Sequence, residues 1–305
     1  MAIGDLTEVT LGDCSDLHYV DTGMFDAPGF GAVYILDAER PAVVDSGIGT
    51  NYERVLDAMA AVGVEPTDLE VVALTHVHLD HAGGAGFLAE ACPNATVAVH
   101  EIGASHVADP SRLVAGTKAA VGDQWEFYTE PKPVPESRIR ELADGDELDL
   151  GDRRLRVHHA PGHAPHQVVF ENRAERTVFT ADAAGIYVRE RDAVFQTSPP
   201  ANFDLEQCLA DVRMLRDLNP EVLCYPHFGA AEAAGRLDEY ETVLPEWVER
   251  VAEKREELGD DEAVADHFAA AADLGDVWGE RKAREEARLN VRGVLGYLDE
   301  RESGE

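Results

Sequence analysis

Short apolar runs alternate with helical spacings over the first 230 residues. GAVYILD (31–37) and PAVVDSG (41–47) read as a strand pair joined across an Ala-Glu-Arg turn. From Tyr52 to Val62 the apolar residues Val55, Met59 and Val62 recur on one helical face. LEVVALTH (69–76) is a continuous apolar run, the pattern of a strand buried on both sides. GFLAEACP predicts a helix stopped at Pro93, and ATVAVH (95–100) a further strand. Residues 101–140, interrupted by Pro110, Pro131, Pro133 and Pro135, read as a loop or lid. A second set of strands follows at ELDL, RRLRVHHA, HQVVFEN and RTVFTAD, with turns at Gly151-Asp152 and Asn172-Arg173. A helix over about 204–218 aligns Leu205, Cys208, Leu209, Val212 and Leu215, and EVLCYPH (221–227) is the last strand.

The texture changes near Gly229, beyond which Glu, Arg and Ala dominate and β-branched runs disappear. Leu244, Trp247, Val248 and Val251 share one helical face, and Val291, Val294, Leu295 and Leu298 share another. The expected organisation is a catalytic unit over residues 1–229 and a helical extension over 230–305. That extension is expected to fold against the main unit or a second subunit, the latter giving a homodimer.

Charge narrows the choice of partners. The 305 residues carry 60 acidic and 26 basic side chains, a formal net charge of −34. Such a polyanion repels phosphate backbones and anionic lipid, so nucleic acid and membrane are disfavoured and a small-molecule substrate is expected. The only lysines are Lys118, Lys132, Lys254 and Lys282, and a lysine-poor acidic surface reads as a halophilic protein, whose self-repulsion salt would screen. MAIGDLTEVT lacks the pattern of a secretory leader and no apolar run approaches a membrane span, so a cytoplasmic location is expected. Cys14, Cys92, Cys208 and Cys224 form no CxxC pair and read as buried reduced thiols.

The chemistry concentrates in THVHLDHAGG, which places His76, His78, Asp80 and His81 between a buried strand and a glycine-rich turn. Residues two apart on an extended segment point the same way, so His76 and His78 can share an ion. Burying three imidazoles and a carboxylate beside an apolar strand would be costly without a metal, and these donors suit zinc, iron or manganese. Three more candidates end strands in the second half: His163 after Pro161-Gly162, Asp182 in TAD, and His227 in YPH. Strand ends of a layered α/β fold converge on one rim.

With these residues in place, the chain resembles the metallo-β-lactamase superfamily over roughly residues 15–230, the HxHxDH signature being His76, His78, Asp80 and His81. The resemblance implies an α/β fold, an αββα sandwich with a two-metal site at its edge. It implies that His76, His78 and His163 hold one divalent ion, zinc being favoured, that Asp80, His81 and His227 hold the other, and that Asp182 bridges them. It makes Asp45 the carboxylate supporting the histidines from behind, and offers Tyr187, five residues past Asp182, as a phenol that reaches a substrate carbonyl. Two ions sharing a water would lower its pKa toward about 7, giving a hydroxide that attacks an ester, thioester or lactone carbonyl, with Asp80 orienting it or shuttling a proton. Other readings of the same cage are a mononuclear iron sulfur dioxygenase, a superfamily nuclease, and a binding protein whose metals only staple the fold. Many superfamily hydrolases read PGHTxGH where this chain reads Pro-Gly-His-Ala-Pro-His, which leaves the role of His166 open. His100, His106, His158 and His159 are expected to be structural or exposed.

Overall fold

A computed structural model describes residues 2–303. The first half supplies β1 (Leu6–Glu8), β2 (Leu17–Asp21), β3 (Ala32–Leu36), β4 (Ala42–Val44), α1 (Tyr52–Ala61), β5 (Val71–Ala73), α2 (Leu79–Ala82), α3 (Ala85–Ala91), β6 (Thr96–His100), α4 (Glu101–Ala108), α5 (Ser111–Val121) and β7 (Ile139–Leu142). These strands form one seven-stranded sheet in chain order, antiparallel from β1 to β4 and parallel from β4 to β7. The second half supplies β8 (Glu147–Asp149), β9 (Arg154–His159), β10 (Val168–Asn172), β11 (Thr177–Phe179), β12 (Ile186–Val188), β13 (Ala193–Phe195), α6 (Leu205–Asp217), β14 (Val222–Tyr225) and β15 (Gly229–Glu232). Six of these strands make a second sheet in the order β15-β14-β11-β10-β9-β8, while β12 and β13 pair as a separate hairpin.

Side-chain alternation along each strand builds the layers. On β3, Tyr34 and Leu36 face the second sheet while Val33 and Ile35 face α1 and α3. Phe170, Phe179 and Cys224 of the second sheet meet Tyr34, Val44 and Ala73 between the sheets. Val169, Val178 and Leu223 point the other way, toward α6 and the C-terminal helices α7 (Arg236–Leu258), α8 (Asp261–Ala270), α9 (Gly275–Trp278) and α10 (Glu280–Ser303). The result is the αββα sandwich. Leu244, Trp247, Val248, Val251, Val291, Val294 and Leu295 all lie in the cluster that covers the second sheet, so both helical faces are buried within the chain itself.

Residues 101–140 are more regular than expected. Pro110 precedes α5 as its N-cap residue, where a missing N–H costs nothing, and Pro135 sits at the same place before the 3-10 turn Glu136–Arg138. No residue of α5 is buried, and its Leu113, Gly116 and Ala120 wall a cavity instead. The apolar run 69–76 pairs only as Val71–Ala73, because the chain leaves the sheet to deliver the residues that follow. No helix among the described residues is long and apolar enough to cross a membrane.

Candidate metal centre

Topology explains why distant residues meet. β4 and β5 are parallel; β11 and β14 are parallel, and β9, antiparallel to β10 as β10 is to β11, shares their direction. All five therefore end at one rim of the sandwich. Asp45 follows β4, His76 to His81 follow β5, His163 follows β9, Asp182 follows β11 and His227 follows β14.

Seven donors converge there. His76 Nε2 and His163 Nε2 each lie 3.1 Å from His78 Nδ1. Tetrahedral nitrogen ligands about 2.0–2.1 Å from zinc lie about 3.3–3.4 Å apart, so the three atoms already have nearly the spacing an ion requires. A second set repeats the geometry: His81 Nε2 and His227 Nε2 are 3.3 Å apart, each 3.6 Å from Asp80 Oδ2. Asp182 stands between them, with Oδ2 3.2 Å from His163 and 3.7 Å from His81, and Oδ1 3.8 Å from His227. That Oδ1 is buried without a hydrogen-bond partner. A buried carboxylate oxygen left bare is expensive unless a cation meets it. The donor set therefore fits two divalent ions.

The surroundings hold the imidazoles ready. His227 donates from Nδ1 to the Phe30 carbonyl at 2.8 Å, and His81 from Nδ1 to Asp45 at 3.0 Å, leaving both Nε2 lone pairs for a metal. Asp45 also accepts from Thr75 N at 2.8 Å and Thr75 Oγ1 at 2.9 Å, with its backbone in the left-handed region at φ 63°. Burial, reinforced by neighbouring imidazoles, lowers the pKa of His76 and His78 and brings that of His163 to about 3. Those rings are neutral, the form that binds metal. Burial opposes ionisation of Asp80 and Asp182, but the adjacent histidines outweigh it and hold both carboxyls below the usual range. His81 and His227 are raised against the effect of burial by those same carboxylates.

Replacing Asp45 with Asn should weaken metal retention about 10–100-fold, because the His81 N–H loses its charged acceptor. Chelator competition on wild type and Asp45→Asn measures this; equal retention would mean that Asp45 serves only the turn.

Two expected residues sit differently. Tyr187 is central on β12, so period-2 alternation sends Ile186 into the cavity and Tyr187 into the core beneath the second sheet. Its hydroxyl donates to Asp192 at 3.0 Å, and the Arg236 guanidinium lies 5.0 Å from its ring centre. The phenol on the cavity wall is Tyr128, which the sequence reading passed over. His106, expected to be structural or exposed, lines the cavity as well. His166 backs the cluster, its Nδ1 accepting from Val77 N at 3.4 Å, with burial and nearby histidines bringing its pKa to about 2. His100 stacks on His159, and His158 bonds Glu171.

A large cavity of about 1060 Å³ opens over the cluster. Its far wall comes from α10, where buried Lys282 pairs with Glu286 at 2.7 Å and lies 3.9 and 4.1 Å from the ring centres of Phe25 and Phe30. Phe30 in turn packs on the His227 ring at 4.9 Å, so the C-terminal helix supports a donor from the other end of the molecule.

Fold and donor geometry together define a class of metal-site proteins, and comparison with known sequences gives it a name. The sequence pattern of the Metallo-beta-lactamase superfamily matches residues 26–227, and the chain belongs to that superfamily. A metallo-beta-lactamase fold-containing protein of Sulfurisphaera tokodaii is 24% identical over 288 residues, spanning 92% of this chain and 97% of that protein. An acyl-coenzyme A thioesterase of Gallus gallus is 33% identical over 159 residues, 48% of this chain and 54% of its own length. An N-acyl homoserine lactonase of Bacillus thuringiensis is 27% identical over 173 residues, 55% and 58% of the two chains. Among solved structures, an archaeal superfamily protein from Sulfolobus tokodaii superposes with a TM-score of 0.71 at 23% identity, covering 92% of this chain and 99% of that one. A family protein from Thermus thermophilus gives 0.65 at 22% identity, covering 90% and 89%.

Proposed function

We propose that the protein is a hydrolase that uses two divalent metal ions to cleave an ester, thioester or lactone bond in a small molecule. The observation that carries this reading is the bare, buried Asp182 Oδ1 between two complete three-donor sets. The thioesterase and lactonase among the relatives support acyl transfer to water as the reaction class.

Divalent ions held there supply Lewis acidity and lower the pKa of a coordinated water. His76, His78 and His163 would hold one ion and Asp80, His81 and His227 the other, with Asp182 between; zinc suits this set, as do iron and manganese. The chain's own groups do the rest. Asp45 and the Phe30 carbonyl fix the tautomers of His81 and His227. Asp80, the partly exposed carboxylate, stays ionised on the cavity wall, held so by the histidines around it. Burial raises the Tyr128 phenol well above its ordinary pKa, so it stays protonated on the wall as a hydrogen-bond donor. Phe25, Phe30 and Ile186 exclude bulk water around the acyl group.

Protein purified without chelator should contain close to two transition-metal ions per chain and hydrolyse at least one member of an ester, thioester and lactone panel. Chelation should abolish turnover and metal should restore it. A reproducible stoichiometry of one or none, or silence across the panel with both ions present, overturns the reading.

A further inference from the structure

We propose that the cavity selects a substrate bearing an anionic group, a carboxylate or phosphate, away from the scissile bond, and that Arg112 on α5 receives it; this rests on the hydrolase reading above.

The inference comes from the charge inventory of the cavity wall. The chain carries 60 acidic side chains against 26 basic ones, and its arginines are widely matched to acids, as Arg191 is to Asp276 and Arg288 to Asp266. Arg112, an exposed residue at the start of α5, has no acidic or hydrogen-bonding partner among the described residues, and its side chain lines the cavity mouth. The wall's carboxylates are all committed elsewhere. Asp80 and Asp182 belong to the histidine cluster, while Glu286 is taken by Lys282 and by Asn290 Nδ2 at 3.0 Å. Arg292, the other arginine on the wall, reaches Glu262 at 3.2 Å.

Between residues 102 and 122 the lining contains no acid at all; its polar members are His106, Arg112 and Thr117. In a molecule so rich in carboxylates, a stretch of wall free of them around an unmatched guanidinium suits a negatively charged group. The planar guanidinium suits the two oxygens of a carboxylate or phosphate. Arg112 would act as a specificity residue, touching the substrate's charged end and not its reacting carbonyl.

The test uses three esters at one fixed ionic strength. Phenyl butyrate is neutral, mono-phenyl glutarate carries its carboxylate on the acyl side, and 4-carboxyphenyl butyrate carries it on the leaving group. In wild type, one of the two anionic esters should have a lower KM than phenyl butyrate, and which one assigns the side that Arg112 serves. Arg112→Gln should raise that KM relative to the neutral ester roughly 10–100-fold with little change in the ratio of kcat values, and Arg112→Lys should recover part of it. An unchanged KM ratio for both anionic esters overturns the proposal. Glutarate binding, followed through the fluorescence of Trp125 beside Tyr128 and Trp278 beside Phe30, tests Arg112 without turnover. Saturable binding weakened at least tenfold in Arg112→Gln supports the proposal even if no ester is cleaved, in which case the hydrolase reading alone falls. Equal or absent glutarate binding in both proteins, with flat KM ratios, rejects it.

Discussion

Asp182→Asn should lose at least one metal ion and most hydrolysis. The substitution keeps the shape of the side chain and, on the two-metal reading, removes the charge that would offset repulsion between two close dications. It also turns one carboxylate oxygen into an amide nitrogen among His81, His163 and His227, whose Nε2 atoms lie 3.2–3.8 Å from the present oxygens. The loss should exceed the roughly 10–100-fold expected for a residue that only supports a ligand. Metal content and kcat/KM measured together are the check, and a fully metallated, fully active Asp182→Asn protein would place the bridge elsewhere. Tyr187→Phe is the contrasting variant, since it removes only a bond to Asp192 and should keep both ions.

Gly162→Ala should be nearly as damaging, for a steric reason. A Cβ at this position would stand 2.3 Å from Cys208 N and 2.6 Å from Cys208 Cα, both backbone atoms of α6. The Gly162 N–H also donates to buried Asp211 at 2.7 Å, so loop and helix cannot separate without breaking that bond. Relief requires moving the residue next to His163. The expected cost is about 1–3 kcal/mol of stability, as for an overpacked core, together with weakened metal retention. Denaturation of the chelated variant isolates the steric part, and the metal-loaded protein adds the part due to displaced His163. Unchanged midpoints in both forms would mean that the loop yields freely.

The candidate donors were legible because all seven stand in short motifs at strand ends, where local spacing and strand direction suffice to collect them. The strands of the sandwich were legible as short continuous apolar runs, because a strand covered on both faces needs no polar side, as Val33, Tyr34, Ile35 and Leu36 show. What escaped depends on contacts that no local pattern encodes. Phe30 serves His227 through a backbone carbonyl, which leaves no trace in residue type. Lys282 reaches Phe25 and Phe30 from the far end of the chain. Tyr187 was misread because a three-residue strand gives no hint of which face is inward. The helices α4 and α5 were hidden because their prolines fall at boundaries, where the same residue signals either a break or a start.

The centre draws its donors from both sheets, and this bears on the chain before it folds. His76, His78, Asp80 and His81 leave the first sheet; His163, Asp182 and His227 leave the second, and each three-donor set takes members from both. The four described cysteines are free thiols, so no covalent link joins the halves. Ions seated in these sets, as the two-metal reading has them, would be cross-links, closing stretches of chain 85 residues long between His78 and His163 and 146 long between His81 and His227. In the chain-entropy description, a covalent link closing a loop of about 100 residues contributes about 4.7 kcal/mol by restricting the unfolded ensemble. Metal ligation is reversible and its share is set by ion availability, so the concentration of free ion becomes a variable in how firmly the two halves of the sandwich hold together.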